Sequence, residues 1–233
     1  MKGKTAISAK TVCLCAAAVL CLAFAIFMYV SPNAPRRTVK EASAETGTLL
    51  KLYEGPKTMT TSKNVQASVN GHSLFVYDVM VNHEHIWNAN TVPSDTPLTY
   101  FDFEGSADID LEAPGLSEAV ESAKVLPTGC GIVPDVEEGH VRFTITKPGQ
   151  YTVVFNDNVN KAVHIFANPL ETDIPDPDDP NVYYIGPGEW TMDAIALSDG
   201  QTLYLSGGAV LHSVVSVNNA KNVRICGRGM IDG

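Results

Sequence analysis

The chain has 233 residues, enough for one ordinary domain or two small ones, and 45% of them are apolar, so a buried core is expected. Only 18% are charged, and 18 Gly with 14 Pro argue against a coiled coil or a disordered chain and for short strands joined by turns. The net charge of −10 speaks against general nucleic-acid binding, which needs basic patches. The charge is also divided. Residues 1–40 carry six basic side chains and no acidic one, so the other 10 basic and 26 acidic residues leave −16 on residues 41–233.

Thr11 to Val30 (TVCLCAAAVLCLAFAIFMYV) is a run of 20 uncharged residues preceded by Lys2, Lys4 and Lys10. A helix of that length rises about 30 Å, the thickness of a bilayer core. Two readings stay open. It is a signal peptide, with Ala42-Ser43-Ala44 as the best small-x-small site, or an uncleaved membrane anchor. Three basic residues lie on each side, so the positive-inside rule does not choose an orientation. Both readings place the remainder outside the cytoplasm, secreted or anchored to the outer face. Residues 31–47 are rich in Pro, Ala, Ser and Thr and read as a tether. Cys13, Cys15 and Cys21 lie in or beside apolar residues of the run. Cys130 and Cys226 remain, and two free buried thiols are the better reading than one disulfide.

Residues 48–169 show short strand-like runs broken by turn signals. Ser73–Val81 (SLFVYDVMV) is β-branched and aromatic, while Thr99–Phe103 (TYFDF), Ala107–Leu111 (ADIDL) and Val141–Thr146 (VRFTIT) alternate with period two, as half-buried strands do. Lys147-Pro148-Gly149-Gln150 is a turn, after which Tyr151–Phe155 and Val163–Phe166 resume strands. Runs at this spacing predict an antiparallel β-sandwich. Leu116–Lys124 predicts at most two helical turns. Residues 170–180 (LETDIPDPDDP) hold three prolines and five acids, which fits a stiff linker better than a strand or helix. A calcium loop is the sharper reading of those acids, although their spacing fits no known loop.

Residues 181–233 show a period of 20. Tyr183, Leu203 and Val223 recur at that spacing, as do Ile185, Leu205 and Ile225. Pro187, Gly207 and Gly227 fall at the next turn; Ile195 matches Val215, Leu197 matches Val217, and Leu211 matches Ile231. A short all-β period with Gly-rich turns predicts coils of a parallel β-helix, with inward residues stacked coil on coil. About two and a half coils reach Gly233 with no capping segment, which predicts that the chain is the front of a longer protein.

Val182 to Gly233 resembles the opening coils of pectinase-like glycoside hydrolases: polygalacturonase-like enzymes of family 28 and dextranase/isopullulanase-like enzymes of family 49. The resemblance rests on Gly186-Pro187-Gly188, on Asp199-Gly200-Gln201-Thr202-Leu203-Tyr204-Leu205 with Gly207-Gly208-Ala209-Val210, and on Ile225-Cys226-Gly227-Arg228-Gly229-Met230-Ile231-Asp232-Gly233. Tyr151–Pro169 is similar to the end of the N-terminal sandwich that some of these enzymes carry. The resemblance implies an all-β fold, a sandwich followed by a right-handed parallel β-helix, and inverting hydrolysis of polysaccharide glycosidic bonds. Inversion needs one carboxylic acid on the leaving oxygen and one carboxylate on water. In family 28 these acids come from Asn-Thr-Asp and Asp-Asp motifs on middle coils. Asp178-Asp179 lies in the proline-rich stretch, outside that context, so no catalytic residue is carried over.

Other candidate chemistry is sparse. His83 and His85 would share one strand face and could begin a zinc site, but no third ligand has recognisable spacing. Trp87 and Trp190 are candidate platforms for a sugar ring, with core packing as the competing reading. Asp193, Asp199 and Asp232 sit beside turns and are expected to bond turn amides. No cofactor, resident metal or nucleic-acid partner is expected. The expected partners are a polysaccharide, bound through further coils, and the membrane if Thr11 to Val30 is retained. The reading is the N-terminal part of an exported polysaccharide-degrading hydrolase, with a non-catalytic glycan- or protein-binding surface module as the alternative.

Overall fold

The computed structural model describes residues 47–81 and 94–232. Thr11 to Val30, the tether up to residue 46, and His83, His85 and Trp87 lie outside the described residues. Among the described residues no helix is long and apolar enough to cross a membrane.

The first eleven strands are β1 (Leu49–Leu52), β2 (Gln66–Val69), β3 (His72–Ser73), β4 (Tyr77–Val81), β5 (Ser94–Glu104), β6 (Ala107–Glu112), β7 (Ala123–Leu126), β8 (Asp135–Glu137), β9 (His140–Ile145), β10 (Gly149–Phe155) and β11 (Ala162–Pro169). They form two sheets. One runs β1-β5-β11-β10-β7 with β4 also on β5, and the other runs β3-β2-β6-β9-β8. All pairs are antiparallel except β5–β11, which is parallel. Period-two alternation turns Ile109 and Leu111 of β6, Val141, Phe143 and Ile145 of β9, and Val163 and Ile165 of β11 into one core between the sheets.

Three local expectations change. The Ser73–Val81 run breaks into β3 and β4 around residues 74–76. Leu116–Lys124 is not helical. Two turns are too few to offset helix nucleation, and Asn156 takes the segment's backbone groups instead. Its amide donates to the Ala119 carbonyl (2.8 Å), and its oxygen accepts from the Glu121 and Ser122 amides (2.9 and 3.1 Å). Ala123 and Lys124 then pair with Phe155 and Val154 as part of β7. Finally, β5 is buried on both faces. Phe101 and Phe103 enter the sandwich core, while Tyr100 and Asp102 are covered from the other side.

That cover comes from the second set of strands: β12 (Val182–Ile185), β13 (Gly188–Thr191), β14 (Ile195–Leu197), β15 (Thr202–Leu205), β16 (Ala209–His212), β17 (Val215–Val217), β18 (Arg224–Gly227) and β19 (Met230–Asp232). They make three short parallel sheets, β12-β15-β18, β13-β16-β19 and β14-β17, the start of a parallel β-helix. Ile185, Ile195, Leu197, Leu203, Leu205 and Leu211 fill its interior. Val210 and Met230 point the other way and pack with Tyr77, Tyr100 and Phe166 of the six-stranded sheet.

The period is not a uniform 20. Tyr183 sits beside Leu203, and Ile195 beside Val215, as expected. Leu203 is paired with Ile225 rather than Val223, and Leu205 with Gly227 rather than Ile225. The cause is the turn after Val217, which runs over 218–223 where the equivalent turn runs over 198–201. Asn219 and Asn222 adopt positive φ (51° and 57°) in this longer turn. The Lys221 amide donates to Asp199 Oδ1 (2.7 Å), and the Gly200 amide donates to the Lys221 carbonyl (2.9 Å). Val223 still packs against the coil core.

Four tyrosines couple this assembly to alkaline pH. Burial pushes the phenols of Tyr53, Tyr77, Tyr100 and Tyr204 above their usual value of 10.0; the Asp102 charge reinforces this at Tyr53 and the Glu171 hydrogen bond at Tyr204. A raised folded-state value favours the folded chain fully below pH 10, and that contribution is lost as pH rises beyond it. In a titration followed at 295 nm, the phenolate signal of these four should appear only together with loss of near-ultraviolet circular dichroism. Smooth titration of all eight tyrosines near pH 10 with unchanged dichroism would contradict the burial described.

Candidate functional site

The clearest polar cluster on the coils spans β13, β16 and β19. Thr191, His212 and Asp232 stand in register on one outward column, and Glu189 shares their face two residues before Thr191. His212 Nε2 meets Glu189 Oε1 at 3.0 Å, and its Nδ1 meets Asp232 Oδ2 at 3.0 Å. The imidazole therefore stands between the two carboxylates, where an inverting pair would need room for a sugar and a water. The Glu189 carboxyl is held below the ordinary range, first by a hydrogen bond from Thr58 and then by His212. A general acid needs the opposite shift. The cluster is thus a tie across three coils.

The other coil acids have structural partners. Asp199 caps the Lys221 amide, as expected of a turn acid. Asp193 contributes its main-chain oxygen to the Ser213 hydroxyl (2.8 Å), and the Asp232 carboxylate bonds the His212 ring rather than a turn amide. In the acidic stretch, Asp176 accepts from the Asp178 amide (3.0 Å) and Asp179 from the Asn181 amide (2.8 Å). These are local Asx turns. Among the described residues no group of three or more His, Cys, Asp or Glu could hold a metal ion. Cys130 and Cys226 are both free and half-buried, and burial pushes the Cys226 thiol up.

Trp190 lies on β13 in register with Leu211 and, through it, Ile231. It belongs to an inward column, yet it is 44% exposed, and among the described residues no strand pairs with β13 on that side. Its indole N–H donates to the Gly186 carbonyl at 2.9 Å, which fixes the ring beside the Gly186-Pro187 turn.

The sandwich carries a polar surface that no sequence motif marks. Alternation that buries Ile109 and Phe143 puts Asp108, Asp110, His140, Arg142 and Thr144 on the open face of the five-stranded sheet. Asp110 bonds both His140 Nδ1 (2.8 Å) and Arg142 Nε (3.2 Å), and Thr144 donates to Asp108 (2.7 Å). Ser68, Asp108, Asp110, Arg142 and Thr144 line a shallow groove there. The signal was present in the polar positions of ADIDL and VRFTIT.

No family model matches the chain, and no curated protein matches its sequence. Among solved structures it is similar to Dex49A from Penicillium minioluteum, with a TM-score of 0.56 and 15% identity over 83% of this chain and 51% of that one. At that identity the likeness is one of fold. The chain spans about half the length of that structure.

Proposed function

We propose that this chain is the N-terminal part of an exported polysaccharide-degrading glycoside hydrolase and that it does not itself hold the catalytic acids. The observation that carries the reading is the order of architecture, a sandwich followed by parallel coils, shared over 83% of the chain with Dex49A. That likeness favours the family 49 side of the sequence resemblance. The net charge of −16 on residues 41–233 also favours a neutral glucan over polyanionic pectin, which it would repel at long range. Residues 48–169 are the sandwich unit, 170–180 the linker and 181–233 the first coils. Thr11 to Val30 directs export, as a signal peptide or as an anchor on the outer face.

Val217, Ile225 and Ile231 support the partial nature of the coils. They stand in the inward columns of Leu197, Leu203 and Leu211, yet are 43%, 47% and 42% exposed. A further coil stacked on them would bury these side chains and pair the free edges of β18 and β19. Reading the gene beyond the codon for Gly233 tests this. The expected result is more coil-forming sequence with a pair of acids on the middle coils. Absence of such sequence in any frame would overturn the proposal. The groove on the five-stranded sheet supports the second reading, a glycan-binding surface module, through hydroxyl-bonding side chains such as Asp108, Asp110 and Arg142.

A further inference from the structure

We propose that Arg228 selects the register of the third coil by binding the buried carboxylate of Asp102, a choice the apolar pattern of the coils leaves open. Beside Leu203 the sequence offers two apolar β-branched residues, Val223 and Ile225, two positions apart. A slip of one residue would turn the coil inside out, but a slip of two keeps every side chain on its face. The 20-residue repeat favours Val223, whereas the structure pairs Ile225 with Leu203. Something other than hydrophobic patterning must decide.

Arg228 lies in the turn between β18 and β19, 126 residues from its partner. Its Nε donates to Asp102 Oδ1 at 2.7 Å, and a terminal guanidinium nitrogen donates to the Pro169 carbonyl at 2.8 Å. Asp102 is fully buried, and its Oδ2 accepts from the Tyr53 hydroxyl (2.9 Å) and the Glu171 amide (3.2 Å). One coil earlier, the Gly208 amide donates to the Tyr100 hydroxyl at 2.8 Å. Tyr100 and Asp102 are successive outward positions on β5, so each fixes one coil.

The flanking glycines enforce the same register. The Arg228 and Gly229 amides both donate to the Leu205 carbonyl (2.8 and 3.0 Å). Gly227 has φ +116°, and a Cβ there would collide with that carbonyl oxygen; a Cβ on Gly229 would come within 2.7 Å of the Leu205 side chain. In the slipped register Ile225 would stand opposite Leu205, and Arg228 would move away from Asp102, leaving a buried carboxylate without its cation. A buried pair that sets registry is a role attested for such contacts elsewhere.

Disulfide trapping on the full chain reads the register. Thr202 is paired with Arg224, and in the slipped register it would face Asn222. With Cys226→Ser, Thr202→Cys is combined with Arg224→Cys in one variant and Asn222→Cys in another, and the linked peptides are identified by mass spectrometry after oxidation. With Arg228 present, the 202–224 link should dominate. Arg228→Met should shift the ratio of the two links by about tenfold towards 202–222, and Arg228→Lys should restore part of it. Asp102→Asn, which keeps the side-chain shape, should shift the ratio in the same direction and serves if Arg228→Met fails to fold. An unchanged ratio in the folded variants would overturn the proposal, since a general loss of stability would weaken both links without changing their ratio.

Discussion

Phe101→Ala should lower the stability of the chain by about 3–5 kcal/mol, a cost set by lost apolar burial and by the cavity that remains. Phe101 is fully buried at the centre of the six-stranded sheet. It is paired with Leu52 on one side and Ala167 on the other, and its ring lies 5.7 Å from that of Phe103. Neighbours held on both sides by strand pairing cannot readily close the gap. Thermal denaturation followed by circular dichroism should show a midpoint lowered by roughly 10 °C. Val133→Ala is the control, because Val133 is 88% exposed and its truncation should stay within about 0.5 kcal/mol. Similar midpoints for the two variants would contradict the two-sheet core.

Asp102→Ala should cost a comparable amount, about 3–5 kcal/mol, for a different reason. It deprives the Arg228 guanidinium, the Tyr53 hydroxyl and the Glu171 amide of one acceptor group. Tyr204, bonded to Glu171 at 2.9 Å, would lose the support behind its own partner. Replacing both charges with apolar side chains, Asp102→Leu with Arg228→Met, should recover the part of the loss that comes from the unpaired guanidinium, while the Tyr53 hydroxyl and the Glu171 amide stay without this acceptor. Chemical denaturation of the single and double variants measures this. A double variant as unstable as the sum of its single changes would show that the pair is not coupled.

Much of the fold was legible in the sequence where one rule acted alone. ADIDL and VRFTIT alternate cleanly because one face of each strand meets the core and the other meets water. TYFDF has the same alternation, but Tyr100 and Asp102 face the coils, and no local pattern announces a second layer arriving from 126 residues away. The helix expected at Leu116–Lys124 lost to Asn156, whose partnership with Ala119, Glu121 and Ser122 is a tertiary fact. Coil stacking was legible where the offset is 20, as for Tyr183 on Leu203, Ile195 on Val215 and Leu211 on Ile231, and was misassigned at β18, where a slip of two residues preserves the apolar face, while β13 and β16 stand 21 apart. Of the site candidates, Asp199 caps a turn as its sequence setting suggested. No local signal marks Glu189, because its partner His212 comes from the next coil and Asp232, on the other side of that ring, from the one after.

The central claim is the proposal that these coils open a polysaccharide hydrolase whose catalytic acids lie on later ones. Release of reducing ends from dextran, pullulan and polygalacturonate, measured for the chain ending at Gly233 and for a product of the same gene extended through its downstream coils, tests that claim most directly. The expected result is no release by the shorter chain and release from a neutral glucan by the longer one. Hydrolysis by the shorter chain, or none by the longer chain on all three polysaccharides, would contradict it.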